Sequence, residues 1–317
     1  MNEPQSTPRC PVNSRYYQSE SDLIDMQQLL MAGRLRTGDW RYWHVGELAW
    51  DWLMVACHLS AREHIRLWHN IAGELVGYAM LGEDSAFNWQ VLPEYEWQGI
   101  EEQALAWAAM RLAKLRQTDA VLWSKSLVAT ARQDDERRIA FLQQHGFHYG
   151  GEWIEVNMLR RLDATIPQCP APDGYRVRAV EANETAERAA AQRAVWQPWT
   201  VGDVSAEDYA RFMQQPGYER EFDIVAVAPD GVIAAYVNGW LDPVNHIGDF
   251  GPVGTSPNYR RRGLGRAVLL ECLRRMQASG MDRVCVSTSV SNAAARRLYE
   301  SVGFHMANTT GDYTRAE

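Results

Sequence analysis

Apolar positions in the second half of the chain follow strand-like and helix-like spacings in turn. The runs Ile247–Val253 and Arg283–Val290 both have the composition of a strand. Between them lies a segment with helical spacing, whose apolar face consists of Val268, Leu269, Cys272, Leu273 and Met276. Together with a helix-like segment that ends at Phe304, this order predicts an α/β domain.

The first half of the chain has the same order of elements. Strand signals at Glu74–Leu81 and Phe87–Leu92 precede a helix rich in Ala and Leu that reaches about Gln117. We further predict a strand at Ala120–Ser124, a helix at Asp135–Gln144 and a closing strand at Glu152–Leu159.

Several short matches indicate that the two halves are copies of one fold. Pro93 and Gly99 stand as far apart as Pro257 and Gly263, and each proline is followed by a tyrosine two positions later. The segment Asp135–Phe147 also matches Asn292–Phe304, and both end in Gly-Phe. We therefore predict an internal duplication.

The duplication and the composition of the chain together predict its domains. Residues 14–161 form the first copy, the Pro-rich stretch 162–174 is a linker, and residues 175–317 form the second copy. Residues 1–13 are polar and are predicted to be a loose tail, followed by a helix from Tyr16 with Ser21 and Asp22 at its start.

Charge and cysteine content exclude several classes of protein. The net charge is −8, which argues against a nucleic acid or an anionic membrane as the main partner. The 5 cysteines are odd in number and form no Cys-x-x-Cys pair, so we expect reduced thiols in a cytoplasmic protein. The histidines show no metal-binding spacing, and no signal sequence or membrane-spanning run is seen. We therefore expect no metal and no membrane contact.

The turn between the first strand and the helix of the second copy has the composition of an anion site. It reads Arg260-Arg-Arg-Gly263-Leu-Gly265-Arg266. The start of a helix presents unpaired N–H groups at its positive end, and glycines let an anion approach them closely. The arginines add full positive charge. A generic basic patch for nucleic acid is the alternative, but it lacks interleaved aromatic residues.

This turn, preceded by Ser256-Pro-Asn-Tyr259, resembles the pyrophosphate loop of the GNAT (GCN5-related) N-acetyltransferases. The resemblance implies acetyl-CoA as co-substrate and a fold of mixed, mostly antiparallel twisted sheet flanked by helices, here in two tandem domains. It also implies that the cofactor is bound by Val253, Thr255, Arg260, Arg261, Arg262, Gly263, Leu264, Gly265 and Arg266.

The second half of the family pattern is present in Asn292-Ala-Ala-Ala-Arg-Arg-Leu-Tyr299. By the resemblance, Asn292 binds the cofactor and Tyr299 is the general acid that protonates the leaving thiolate. The same residues also suit a helix-capping Asn and a core Tyr.

At the position of the general base the chain departs from the family pattern. Family members often carry a Glu where this chain has Gly251. Because side chains alternate along a strand, Asp249 lies on the same face as Gly251 and is our candidate base. Alternatively, Asp249 caps the turn that ends at Gly248.

The first copy lacks all of these features. Its loop reads Glu96-Trp-Gln-Gly99-Ile-Glu101, Asp135 stands at the Asn292 position, and Leu142 stands at the Tyr299 position. Carboxylates at a helix start occupy the positive field that a phosphate needs. A degenerate first copy is similar to the tandem, mycothiol synthase-like members of the family, and we expect it to have no working cofactor site.

The resemblance implies an enzyme that moves an acetyl or short acyl group from acyl-CoA to an amine of a small molecule or peptide. The alternative is a non-catalytic acyl-CoA sensor or scaffold. We also expect that a homodimer can form. Relatives build the acceptor pocket at positions that correspond to Trp196, Trp199 and Trp240, although Trp also suits an ordinary core. No residue identifies the acceptor.

Overall fold

The structure is a computed structural model that describes residues 11–38, 40–82, 85–118, 126–198 and 203–316. It divides into two compact units. Unit 1 comprises Met1–Trp43, Met54–Glu152 and Gly311–Glu317, and unit 2 comprises His44–Leu53 and Trp153–Thr310. Each unit therefore contains a short segment from the other half of the sequence. We retain 14–161 and 175–317 as the proposed domains of the duplication.

The first half of the chain forms six strands and five helices among its described residues. In chain order they are β1 (Val12–Tyr16), α1 (Glu20–Thr37), α2 (Val45–His58), α3 (Ala61–His64), β2 (Ile65–Asn70), β3 (Leu75–Leu81), β4 (Ala86–Val91), α4 (Ile100–Thr118), β5 (Ser126–Arg132), α5 (Glu136–Gln144) and β6 (His148–Arg161).

The sheet of unit 1 has the strand order β1-β2-β3-β4-β5. Strands β1 to β4 pair with one another in antiparallel fashion, and β5 is parallel to β4. The parallel pairing joins Ala86 to Val128 and Phe87 to Ala129 and does not extend further. Beyond these pairs β4 and β5 therefore separate.

The second half of the chain repeats this series. In chain order it forms β7 (Arg176–Ala179), α6 (Thr185–Trp196), α7 (Ala206–Phe212), β8 (Asp223–Val227), β9 (Ile233–Asp242), β10 (Ile247–Thr255), α8 (Leu264–Ala278), β11 (Arg283–Ser289), α9 (Ala293–Ser301) and β12 (His305–Ala316).

The sheet of unit 2 has the strand order β7-β8-β9-β10-β11-β6. Strand β11 is parallel to β10, whereas the other pairs are antiparallel. Helix α8 packs on one face, where Gly239 and Gly248 lie against Met276 and leave no room for a side chain of their own. The predicted fold class, a mixed and mostly antiparallel sheet flanked by helices, is confirmed.

Most predicted elements are present, with local differences at the N terminus. Strand β1 begins at Val12, inside the segment predicted to be a loose tail, because it pairs with β2. Helix α1 starts after Ser19, which forms a capping box with Asp22. The strand predicted at Ala120–Ser124 lies outside the described residues.

Candidate active site in unit 2

The loop of residues 259–266, called here the Gly263 loop, connects β10 to α8. Gly263 precedes the first residue of α8 and has a φ of 80°, and Arg261 has a φ of 64°. Positive φ is uncommon for a residue with a side chain, so the conformation at Arg261 is a specific feature of the loop. A Cβ atom added to Gly263 would meet nothing within 4 Å, which means that open space lies above this position.

The start of α8 leaves its backbone donors open. The N–H groups of residues 263–266 have no acceptor among the described residues, and no side chain caps the helix at Gly263. At Gly265 an added Cβ would lie 3.1 Å from Leu298 and 3.2 Å from the Thr255 hydroxyl, so a side chain would fit poorly here. Four aligned N–H groups at a positive helix end form a cradle that suits a diphosphate.

The Gly263 loop contains four arginines, and the side chains of three of them contact other residues. The Arg260 Nε donates to the Thr255 carbonyl at 3.2 Å, and Arg262 donates to the Tyr175 hydroxyl at 2.8 Å. Arg266 lies 3.5 Å from the Cys169 sulfur. Arg261 is exposed. These contacts hold three guanidinium groups of the loop that carries the open N–H groups, and the positive charge of this loop suits the diphosphate arm of CoA.

The strands that lead to the cradle separate at the centre of unit 2. Strands β10 and β11 pair from Ile247 to Phe250, and the register of β10 with β9 shifts between Phe250 and Val253. Gly251 and Pro252 have no partner in either register, and from Val253 onward β10 is paired with β9 alone. Val253 and Thr255 therefore border a gap between β10 and β11, and backbone groups along this edge have no strand partner across the gap.

Asp249 lies at the point where the gap begins. It is 5% exposed and accepts a hydrogen bond from the Cys285 thiol at 3.2 Å. One of its carboxylate oxygens lies 3.7 Å from the position that a Cβ on Gly251 would take. The Asp249 carboxylate therefore reaches the space beside Gly251, as the alternation of side chains predicted.

Tyr299 approaches the same point from α9. Its ring belongs to the same core cluster as Phe250, and its centre lies 6.0 Å from the centre of the Phe304 ring. Burial raises the pKa of Tyr299, and the negative charge of Asp249 raises it further. A tyrosine with a raised pKa keeps its proton at neutral pH, as a general acid must.

Asn292 caps α9. Its side-chain oxygen accepts the Ala295 N–H at 3.1 Å, which is the capping role considered for it above. The capping bond uses the oxygen and leaves the amide donors of Asn292 for a further partner. Leu264 is buried in the core, so its backbone N–H is the group that it presents to the cradle.

The three tryptophans predicted to line the acceptor pocket have different environments. Trp240 is 1% exposed, and its indole N–H donates to the Gly251 carbonyl at 2.8 Å, so it supports the backbone where β10 leaves β11. Trp196 is half-buried and donates to the Tyr236 hydroxyl at 2.9 Å. Trp199 lies outside the described residues. An acceptor-binding role for these residues stays a prediction.

A row of polar side chains on β11, β6 and β12 was missed by the sequence analysis. Ser287 donates to Asn157, whose amide donates to Asn308 at 2.6 Å and to Thr310 at 3.0 Å. Ser287 is two residues from Cys285, so it lies on the same face of the sheet as Asp249. The alternation of polar residues along β11 was the signal that could have revealed this row.

Glu155 extends the polar row along β6. It pairs with Ser289 in the sheet register and is half-buried. Burial raises its pKa to about 7, and the carboxylates of Glu47 and Asp51 contribute to the shift. The face that carries Asp249 is therefore polar and acidic, which suits a cationic amine.

Other classes of site find no support in the part of the chain that is described. No group of His, Cys, Asp and Glu there could hold a metal ion. None of the helices searched is long and apolar enough to cross a membrane. Cys169, Cys272 and Cys285 form no disulfide bond among the described residues.

Comparisons with known proteins agree with this geometry. Residues 188–304 match the sequence model of the Acetyltransferase (GNAT) family. The match contains the Gly263 loop, Asp249 and Tyr299. This segment belongs to the GNAT family, and the chain as a whole resembles the mycothiol acetyltransferases.

Two relatives illustrate that resemblance. The mycothiol acetyltransferase of Thermobispora bispora is 32% identical over 156 residues, which are 46% of this chain and 52% of that protein. The mycothiol acetyltransferase of Beutenbergia cavernae is 29% identical over 285 residues, which are 87% of this chain and 90% of that protein. The chain thus spans about half of the first relative and most of the second.

Two solved structures share the fold along nearly the whole chain. A GCN5-related N-acetyltransferase from Sphaerobacter thermophilus has a TM-score of 0.63 at 20% identity, covering 96% of this chain and 95% of the other. A tandem GNAT protein from the clavulanic acid biosynthesis pathway has a TM-score of 0.64 at 16% identity, covering 96% and 98%. At these identities the likeness concerns the fold alone.

Proposed function

We propose that this protein transfers an acetyl group from acetyl-CoA to a primary amine of a small molecule or peptide. The observation that carries the proposal is the arrangement at the gap in unit 2. Asp249 lies at the point where β10 leaves β11, Tyr299 approaches that point from α9, and the Gly263 loop lies at the far end of β10. A base, an acid and an anion cradle along one strand are the groups that acyl transfer needs.

Acetyl-CoA supplies the activated acetyl group as a thioester. The cradle formed by Gly263, Leu264 and Gly265 would hold its diphosphate, and the neighbouring arginines would balance the charge. Backbone N–H groups of Val253 to Thr255 would hold the thioester oxygen at the edge of the gap. Fixing both reactants in this gap contributes to the rate because fewer degrees of freedom are lost at the transition state.

Two side chains would move the protons. Asp249 takes a proton from the acceptor ammonium, directly or through one water, and so produces the neutral amine that attacks. Tyr299 donates its proton to the sulfur of the departing thiolate. The raised pKa of Tyr299 keeps that proton available until the carbon–sulfur bond breaks.

The acceptor is proposed from the face that carries Asp249. Ser287, Asn157 and Glu155 give this face hydroxyl, amide and carboxylate groups, which suit a hydrophilic acceptor with an ammonium group. The names of the relatives make the unacetylated form of mycothiol the first acceptor to test.

The experiment is an acceptor screen that detects CoA release by mass spectrometry, so that thiol-containing acceptors do not interfere. We expect acetylation of at least one amine, and we expect the Asp249→Asn and Tyr299→Phe variants to be slower with the same acceptor. A protein that binds acetyl-CoA but acetylates no amine or peptide would contradict the proposal and favour the acyl-CoA sensor. The presence of both Asp249 and Tyr299 favours an enzyme over an acyl-CoA sensor.

A further inference from the structure

Unit 1 contains a second loop with the backbone shape of the Gly263 loop. This Gly99 loop, residues 95–102, connects β4 to α4. Trp97 has a φ of 62° and Gly99 a φ of 106°, whereas Arg261 and Gly263 have 64° and 80°. A positive φ at a residue with a side chain is uncommon, so its recurrence at the matching position means that both loops present their N–H groups in the same way.

The Gly99 loop has a carboxylate where the Gly263 loop is open. Glu101 stands at the position of Gly265 and is 1% exposed. Its Oε1 accepts the Trp97 N–H at 2.8 Å, and its Oε2 is buried with no hydrogen-bond partner among the described residues. A buried carboxylate with an unpaired oxygen is costly, and the positive end of α4 offsets part of that cost. Burial raises the pKa of Glu101 to about 7.

A second side chain fills the gap between the strands of unit 1. Arg138 donates from Nε to the Thr130 carbonyl of β5 at 2.8 Å, and its guanidinium lies 3.6 Å from the centre of the Trp89 ring on β4. Its Nη1 is also 3.4 Å from the Trp89 carbonyl. In unit 2 the matching position is Ala295, which is too short to cross the gap.

A cavity remains beside these two side chains. Glu101 and Arg138 line it, and its volume accessible to the centre of a water molecule is about 40 Å³. The other residues that line it are Arg41, Tyr42, Trp89, Gln90, Val91, Glu96, Trp97, Asp135 and Arg137.

We propose that unit 1 retains the anion cradle and strand gap of an acyl-CoA cleft, and that the chain itself occupies them: the Glu101 carboxylate lies where a diphosphate would bind, and the Arg138 guanidinium lies between the strands. The cradle of unit 1 is thus filled by a carboxyl group of the protein itself. The inference goes beyond the transfer activity and does not depend on it.

Shortening Glu101 tests the proposal with inorganic pyrophosphate as the probe. In Glu101→Ala, pyrophosphate should shift the amide resonances of Trp97 and Gly99, with an affinity at least about tenfold above that of the wild type, because the side chain that fills the cradle is gone. In Glu101→Gln a side chain of equal size still fills the cradle, so these resonances should not move. The proposal is overturned if pyrophosphate moves them equally in all three proteins, or in none at concentrations that saturate Gly263.

The Gly263 resonance separates the two proposals of this article. If the Gly263 amide resonance does not shift when pyrophosphate or acetyl-CoA is added, the proposed function is contradicted, whatever the Trp97 resonance does. A Trp97 amide that stays unresponsive in Glu101→Ala counts against the inference for unit 1, whatever happens at Gly263.

Amide hydrogen exchange tests the same claim in the unmodified protein, should Glu101→Ala fail to fold. In the wild type the Trp97 N–H is bonded to the buried Glu101, so it should exchange at least about tenfold more slowly than in an open loop. The N–H of Gly263 has no acceptor among the described residues and should exchange quickly until acetyl-CoA is added. A Trp97 N–H that exchanges as fast as that of Gly263 would overturn the proposal.

Discussion

In unit 2 the first turn of α8 contains Gly265, whereas in unit 1 the matching position in α4 is the buried Glu101, whose carboxylate accepts the N–H of Trp97 in the preceding loop. The backbone of both loops is alike, down to the positive φ of Arg261 and Trp97. A shared backbone shape is therefore compatible with the opposite roles proposed for the two loops, because the side chain at one helix position would decide whether an external anion can enter.

The catalytic positions differ in the same way. In the sheet register, Ala86 of β4 pairs with Val128 as Asp249 of β10 pairs with Cys285. Unit 1 thus has Ala86 at the place of the proposed base and Leu142 at the place of the proposed acid. It carries neither of the two side chains proposed to transfer protons in unit 2.

The largest effect is expected when the Gly263 loop is given the carboxylate of the Gly99 loop. Gly265→Glu should weaken acetyl-CoA binding by at least about a hundredfold, because the carboxylate repels the diphosphate at the helix start. Isothermal titration calorimetry measures the change. Gly265→Ala is the control, since it adds only the Cβ that contacts Leu298 and Thr255. If both variants lose affinity equally, crowding and not charge distinguishes the two loops.

The next largest effect is expected at Tyr299, the proposed general acid. Tyr299→Phe should lower kcat by about tenfold to a thousandfold and leave acetyl-CoA affinity within a few fold, because proton donation helps in the transition state alone. Steady-state kinetics and calorimetry give the two quantities. The raised pKa of Tyr299 also predicts that wild-type activity persists to at least about pH 10, the value of an ordinary tyrosine. An unchanged kcat in a protein limited by chemistry would remove Tyr299 from the mechanism.

A smaller effect is expected at the base. Asp249→Asn should reduce kcat/KM by about tenfold to a hundredfold near neutral pH and abolish the acidic limb of the pH profile. Acetyl-CoA binding should stay intact. Cys285→Ala is a matched control, because it removes the thiol that hydrogen-bonds Asp249 but keeps the carboxylate. If the pH profile of Asp249→Asn overlays that of the wild type, a group other than Asp249 is the general base.

The smallest effect is a change of stability in unit 1. The pKa of Glu101 is about 7 in the folded state and near 4.5 in the unfolded chain. The folded state binds the Glu101 proton more tightly than the unfolded chain does. Protonated Glu101 therefore stabilises the folded state below about pH 4.5, and this stabilisation is lost as the pH rises through 7. Glu101→Gln removes this dependence and should be more stable than the wild type at pH 8, by about 1–2 kcal/mol. Urea unfolding at pH 5 and pH 8 provides the comparison, and equal differences at both values would show that Glu101 does not titrate on folding.

Much of unit 2 could be predicted from the sequence because its signals are local. The spacing of apolar residues located α8 and α9, and glycines followed by a helix located the cradle. The face of Asp249 followed from strand alternation with Gly251. These inferences need only neighbouring residues along the chain.

Features that depend on distant segments could not be predicted. The polar row joins Ser287, Asn157 and Asn308, which belong to three strands, and their contact follows from the pairing of β6 with β11. The filling of the gap by Arg138 was missed as well, since the helix predicted at Asp135–Gln144 does not reveal which strands its side chains contact. The exchange of short segments between the units left no sign in the composition of the chain.

The most direct test of the difference between the two units is the number of acetyl-CoA molecules bound per chain. Calorimetric titration of the wild type should give a stoichiometry of one, and Gly265→Glu should show no binding at the same concentrations. A stoichiometry of two, or one site that survives in Gly265→Glu, would contradict the account, because unit 1 would then bind the cofactor despite Glu101 and Arg138.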